Sequence, residues 1–501
     1  MEGRPLAEDV LRDKIRGCFI GKNIGGTLGA PFEGKCEINE VDFYTQKLDG
    51  NPLPNDDLDL QLLWLVLAEY YGPEHLSSRH FGEYWINGII GPWGEYSNCH
   101  WNCMEGFFPP LSGSCGNDGL RYSNGAWIRS EIWACLCAGR PDDAIRFAWM
   151  DASCDHSGDG IYAEMFTAAL EAAAFYCSDL RELLRIGLAK LPAEGSRLRE
   201  CIELVIAGYD AGKDWKTVRG EVVERNRDLG WFQAAVDVPF AVLALLYGEG
   251  DFGKTVCLAV NCGDDTDCTA ATAGAVLGIM RGASALPERW TAPIGDGIAM
   301  ISLNRFSAPL PIPETVTELS ERIMTLRRIA GVRDPESVLP ESDFLGSECA
   351  AALWKRSEYE LEFDLLFATV CVDYPDGPWL EPGKTCRLRI SVREAITSTG
   401  VVRMRWLLLP ENWRVSPTEL RLGVRNFCRT GVDVEIVPPE DAPLPAMQYL
   451  HLEVTTDDRA YPTVVTVPFR NRNGIVFPRC RVDAESSGWL RRKAVMNRLC
   501  K

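Results

Sequence analysis

Apolar positions recur at helical spacing, on nearly every face, from about residue 8 to 330. "LDLQLLWLVLAEYY", "FTAALEAAAFY", "DVPFAVLALLYG" and "TAATAGAVLGIMRG" are the clearest cases, and Gly and Pro punctuate the gaps between them. Such stretches predict buried helices in a compact all-α unit over residues 8–335. After roughly residue 345 the period shortens to two. "EYELEFDLLFATVCVDY", "CRLRISVREA", "VVRMRWLLL", "VDVEIVP" and "LHLEVTT" are rich in β-branched and aromatic residues and are separated by Pro, Gly and Asp. They predict a separate, small antiparallel β-sandwich over 345–475. The closing segment, 476–501, contains "SGWLRRKAVMNRLCK" and reads as an extension whose helix packs back on the rest. The expected fold class is therefore mainly α, a helical domain followed by a sandwich.

Composition narrows the partners. The chain has 501 residues, and 71 Asp and Glu against 52 Lys and Arg give a formal charge of -19. That charge repels nucleic acid and anionic lipid, and no local basic patch offsets it. No apolar run approaches the ~18 residues needed to span a bilayer, and the charged start "MEGRPLAEDVLRDKIRG" lacks a signal-peptide core. A soluble, cytoplasmic protein is expected. The 19 Cys are scattered through apolar stretches, as reduced core thiols are. Cys99, Cys103 and Cys115 lack CxxC pairing, so a structural zinc is not expected.

Two concentrations of acid stand at the mouths of apolar helices. "NDDLD" carries Asp56, Asp57 and Asp59, and "GDDTD" carries Asp264, Asp265 and Asp267. Carboxylates cap helix N-termini, but one suffices for a cap, and neighbouring carboxylates disfavour each other's ionised forms. A hard divalent cation such as Mg²⁺ takes carboxylate oxygens and keeps open positions for water or substrate. Two such helix mouths brought face to face would build a two-metal site. A Gly-x-x-x-x-Gly-Lys-Ser/Thr phosphate loop is missing, which disfavours a Walker-type ATPase or nucleoside kinase.

The same residues carry a family resemblance. "GCFIGKNIGGTLGAPFEG", "NDDLD", "YSNGAWIRSEIWACLCAGRPDDAIRFA", "DHSGDGIYAEMFTAALEAAA" and "GDDTDCTAATAGAVLG" resemble, in order, the motifs of the ADP-ribosylglycohydrolases, the DraG-like hydrolases. The resemblance covers approximately residues 10 to 300. It implies an all-α fold holding two Mg²⁺ ions, with Mn²⁺ as a substitute, on Asp56, Asp57, Asp265 and Asp267. Asn55 and Cys268 stand where the family has metal-side Thr residues, and Gly26 where it has an early Asp. Glu33 takes the place of a functional Glu that assists proton transfer, with Asp57 beside it in the catalytic role. Tyr122, Ser123, Asn124 and Gly125 match a loop on the phosphate and ribose side of the substrate, and His156 matches a histidine near it. Trp101, Phe107 and Phe108, in an aromatic insertion, are expected to wall the pocket.

The implied activity is metal-dependent cleavage of a ribosyl bond in an ADP-ribosylated substrate. The altered ligands keep two other readings open: hydrolysis of another small ribosylated or glycosylated metabolite, and non-catalytic binding of ADP-ribose or a nucleotide. A neutral thiol is a poor partner for Mg²⁺. The sandwich resembles the immunoglobulin-type accessory domains of carbohydrate-active enzymes.

Overall fold

The computed structural model describes residues 6–90, 94–304, 310–329, 348–393, 395–424, 430–441 and 443–472. The expected 476–501 extension lies outside the described residues, as does the 335–345 boundary.

Helices fill the first part, most of them around one large apolar core. The opening helix, α1 (Glu8–Gly29), starts with Glu8 and Asp9 in its first turn, where the helix dipole favours negative charge. It lies antiparallel against the Thr266–Arg281 helix along a stripe of small residues. A Cβ on Gly17, Gly21, Gly25 or Gly29 would lie 2.3, 2.1, 2.0 and 2.3 Å from the backbone oxygens of Gly278, Gly274, Ala270 and Thr266. Four-residue spacing puts these glycines on one face, and only residues without a Cβ permit this approach. The Thr266 hydroxyl donates to the Gly29 carbonyl at 2.8 Å. The end of α1 is thereby fixed beside the start of its partner.

Helix α2 (Asp56–Tyr71) buries every residue from Asp57 to Ala68. Trp64 packs at 4.9 Å from Phe81 and 5.9 Å from Trp85 between ring centres. Polar groups lock α1 to α2. The Lys22 ammonium, buried, donates to the Ile128 carbonyl at 2.7 Å and to Glu131 Oε1 at 2.8 Å. Gln61 Nε2 donates to Glu131 Oε2 at 2.7 Å, and Gln61 Oε1 accepts the Ile132 amide at 2.9 Å. Asp59 serves a neighbouring loop: its Oδ2 accepts the Ile301 amide at 2.7 Å and the Ser302 hydroxyl at 2.9 Å. Burial pushes its carboxyl up to about 7 against those hydrogen bonds.

Beyond the short helix Glu348–Trp354 the described residues hold ten strands: β1 (Glu360–Asp364), β2 (Thr369–Asp373), β3 (Trp379–Leu380), β4 (Cys386–Arg393), β5 (Val401–Leu407), β6 (Arg414–Ser416), β7 (Glu419–Gly423), β8 (Thr430–Val437), β9 (Met447–Thr456) and β10 (Thr463–Asn471). They form two five-stranded sheets, ordered β1-β2-β4-β8-β6 and β3-β10-β9-β5-β7. Alternate residues such as Leu388, Ile390, Met404 and Leu452 bury between them in a common core. One pairing departs from the expected antiparallel pattern, since β3 runs parallel to β10.

The strands pack against the helical part. Phe107, Leu111 and Cys115, from the helical part, belong to the core of the sheets. Phe107 is therefore a packing residue and not a pocket wall. Phe108 lies against Gly82, with the Arg79 guanidinium 4.5 Å above its ring. Arg470 of β10 donates to Asn102 Oδ1 at 3.0 Å and to the Glu105 carboxylate, and Tyr449 OH donates to the Glu105 carbonyl at 3.2 Å. Cys115 faces Arg470 Nη1 at 3.4 Å, whereas the Cys99 and Cys103 sulfurs stand 3.9 Å apart. No helix among the described residues is long and apolar enough to cross a membrane.

Candidate active site

The two acid-bearing helix starts meet. Asn55 caps α2, its Oδ1 accepting the Asp57 amide at 2.9 Å. A Cβ on Gly26 would lie 2.3 Å from Asn55 Nδ2, so glycine at position 26 makes room for the asparagine. Asp57 is buried behind this cap and Asp56 half-buried. Asp265 precedes the Thr266–Arg281 helix in the cap position, yet its side chain makes no capping hydrogen bond. Asp267 follows in the first turn, and the Cys268 thiol donates to Asp57 Oδ1 at 3.5 Å.

Glu33 is brought in by the α1 packing and by one backbone bridge. After the turn Ala30–Phe32, the Gly34 amide donates to the Asp264 carbonyl at 3.0 Å, and the Asp264 amide to the Lys35 carbonyl at 2.8 Å. Asp264, at φ +66°, spends its carboxylate on the Phe232 amide at 2.8 Å. It holds the loop and lies in neither donor group.

Two donor groups result. One atom each from Asp57, Asp267 and Cys268 lie within 4.8 Å of one another, and so do atoms of Glu33, Asp265 and Asp267. Asp56 belongs to neither group. Burial pushes the Asp265 carboxyl well above the usual carboxylate range, and the charges of Asp267, Asp237, Glu33 and Asp57 push it further. The Cys268 thiol is raised by burial and then by Asp265, Asp57 and Asp267. Lys22 is near enough to feel Asp57, but its ammonium is bonded to Glu131. Capping does not account for this concentration; a divalent cation fits the carboxylate donors.

The loop of residues 122–125 is built beside it. Asn124 Nδ2 donates to Asp265 Oδ2 at 2.8 Å and to Asp237 Oδ2 at 2.6 Å, while its Oδ1 accepts Trp127 Nε1 at 3.0 Å. Asp237 Oδ1 accepts the Asp265 amide at 3.3 Å. The Ala234 amide donates to the Tyr122 carbonyl at 3.0 Å, tying this loop to the helix that carries Asp237. Ser123 Oγ stands 3.0 Å from His156 Nε2, and His156 Nδ1 2.8 Å from Asp155 Oδ1. Arg129, fully buried, clamps Asp155 at 2.6 Å and Asp151 at 2.7 Å. Burial would raise the Asp155 carboxyl, but Arg129 and His156 outweigh it and hold it down at about 2. A Cβ on Gly125 would lie 2.7 Å from Glu95 Oε1 and 3.2 Å from His156 Cε1. Tyr122 is 44% exposed and lies against Gly158. Trp101 is exposed too, stacked edge-on with His100.

Asp237 and Glu95 escaped the sequence reading. Asp237 heads "DVPFAVLALLYG" and Glu95 lies in "GEYSNC", each a single acid without a neighbouring cluster. An acid inside an otherwise apolar helix was the available signal for Asp237.

A model of the ADP-ribosylglycohydrolase family matches residues 7–331. An uncharacterized protein of Archaeoglobus fulgidus is 27% identical over 307 residues, covering 57% of this chain and 93% of that one. The ADP-ribosylhydrolase ARH3 of Danio rerio is 23% identical over 333 residues, covering 57% of this chain and 88% of its own length. A solved structure titled "ADP-ribosylglycohydrolase-related protein complex" shares 19% identity at a TM-score of 0.44, covering 64% of this chain and 99% of that one. With the motifs in family order and the family match running through both acid clusters, the chain belongs to the ADP-ribosylglycohydrolase family, hydrolases that act on glycosyl bonds.

Proposed function

We propose that the chain is a divalent-metal-dependent hydrolase that releases ADP-ribose by cleaving a ribosyl bond in an ADP-ribosylated substrate. One observation carries the reading: two helix starts face each other across a buried carboxylate cluster whose members raise one another's protonation. Asp57, Asp265 and Asp267 are the residues that would hold Mg²⁺ or Mn²⁺, with Asn55 shaping the first helix mouth as its cap. Asp56, half-buried in the first turn of α2, is left to reach an ion through water or to meet the substrate. Bound there, such ions orient a water and lower its pKa.

The rest of the work falls to the chain itself. Glu33 is half-buried, unlike Asp265 and Asp267, so it can exchange a proton with solvent; in this reading it takes the proton of the attacking water. The anionic cluster stabilises the oxocarbenium-like charge that develops on ribose. At Gly125 the lack of a side chain lets the loop backbone lie directly against Glu95 and His156, where a Cβ would collide with both. The Asp155–Arg129 pair fixes the His156 ring through Nδ1 and leaves Nε2 to Ser123. Tyr122 lies exposed at the mouth. Sixteen reduced cysteines among the described residues support a cytoplasmic setting. The strand-rich unit we read as an immunoglobulin-like accessory domain, on the strength of two sheets around one core.

The test is release of free ADP-ribose from a panel of arginine-, serine- and O-acetyl-linked ADP-ribosyl compounds, with Mg²⁺, Mn²⁺ or chelator. Metal-dependent release supports the reading. Silence on every compound by protein that still binds metal and ADP-ribose would favour the binding role instead.

A further inference from the structure

The two donor groups differ in kind. Glu33, Asp265 and Asp267 offer oxygen only, whereas Asp57, Asp267 and Cys268 offer two carboxylates and a sulfur. Cys268 is not a remote core thiol: it is 4% exposed, sits one residue after the shared Asp267, and its sulfur is 3.5 Å from Asp57 Oδ1.

Sulfur changes which ion is preferred. Mg²⁺ demands oxygen ligands and sheds its water reluctantly, while Zn²⁺ accepts thiolate and carboxylate together. Three protein donors with one open position are the usual composition of a catalytic zinc site. We propose that the centre takes two different ions: a thiophilic divalent ion such as Zn²⁺ on Asp57, Asp267 and Cys268, and a hard ion such as Mg²⁺ on Asp265 and Asp267 with Glu33 beside it as the base, Asp267 being shared. The proposal rests on the reading of this cluster as a metal centre. On binding, the Cys268 S–H bond breaks, its electron pair goes to the ion, and the proton leaves to solvent.

The full-length apo-protein is titrated with Co²⁺, which reports sulfur ligation by a charge-transfer band in the near ultraviolet. It is separately equilibrated with Zn²⁺ and excess Mg²⁺, freed of unbound ions and analysed for metal. The expected result is a sulfur band complete at one equivalent of Co²⁺, and one Zn²⁺ with one Mg²⁺ per chain. Cys268→Thr and Cys268→Ser lose the band and lower the preference for Zn²⁺ over Mg²⁺ by about tenfold or more. Asp265→Asn keeps the band and loses Mg²⁺. Co²⁺ binding without a sulfur band, or an unchanged ratio in folded Cys268→Thr, overturns the two-ion proposal while leaving the metal centre standing. A folded wild-type protein that binds none of these ions overturns both.

Discussion

Asn124 and Asp265 are joined by a 2.8 Å hydrogen bond that ties the loop of residues 122–125 to the start of the Thr266–Arg281 helix, and the same nitrogen reaches Asp237. Neither carboxylate is exposed, so the amide is their common donor in a dry setting. Asn124→Ala leaves both with a lost partner, and each unsatisfied buried group costs about 1–3 kcal/mol. Thermal melts should show the loss, and added Mg²⁺ should recover part of it by returning positive charge to Asp265. An unchanged melting temperature would mean that the loop is held by other contacts.

Asp57→Asn and Asp267→Asn preserve shape and remove one charge. Activity on an ADP-ribosylated substrate should fall by on the order of 100-fold or more, since the lost group is a direct donor. In the metal-free state the variants should melt no lower than the wild type, because like charges in the cluster repel. Wild-type protein at about 100 times the metal's Kd should gain about 2.7 kcal/mol that the variants lack. Equal activity in Asp267→Asn under limiting Mg²⁺ would refute the ligand assignment.

Stability should depend on pH in two opposed ways. Burial, then Asp155 and Asp56, push the Glu95 carboxyl up to about 8, so the folded chain holds a proton that the unfolded chain releases near 4.5. Its stabilising contribution is fully present below about 4.5 and is lost as pH rises through about 8. Asp155 is depressed to about 2, so its contribution is present above about 3.8 and is lost as pH falls through about 2. Glu95→Gln should flatten the decline in urea midpoint across the neutral range without moving the acid limb. A parallel decline in the variant would remove Glu95 as its cause.

Phe107 makes the helical part and the sheets interdependent. Phe107→Ala should cost about 3–5 kcal/mol, the usual range for emptying a large buried aromatic site. A chain ended near residue 345 should expose Phe107 and Leu111 and self-associate, as measured by light scattering. It also loses the Glu358 carboxylate, which accepts from Gly158 N and Arg121 Nη2 at 2.7 Å each, next to His156. A monomeric truncated chain with an undiminished melting temperature would count against the coupling.

Much of this architecture was legible because it repeats. The long apolar helices, the shift to two-residue alternation and the doubled acid motifs each recur over many residues, and the two acid motifs with Glu33 are the segments whose side chains the fold brings together. What escaped depends on single contacts between distant segments. Asp59 looks like Asp57 in sequence, yet it holds the Ile301–Ser302 loop. Asp237 and Glu95 have no acidic neighbour to announce them. Phe107 and Phe108 sit among Gly and Pro, as pocket aromatics do, but the sheets claimed Phe107 for their own core. The Gly17, Gly21, Gly25, Gly29 series was visible as a four-residue period, and its meaning emerged only with Gly274 and Gly278 opposite it.

That glycine series separates what the centre is made of from where it is held. The contact between α1 and the Thr266–Arg281 helix is main chain against main chain, so the gap between Glu33 and Asp267 is set by atoms that every amino acid shares. At Gly17, Gly21, Gly25 and Gly29 no side chain of the first helix stands between the two backbones. Side chains at the rim, the Cys268 thiol and the Asn55 amide among them, can therefore change while the frame holds its dimensions.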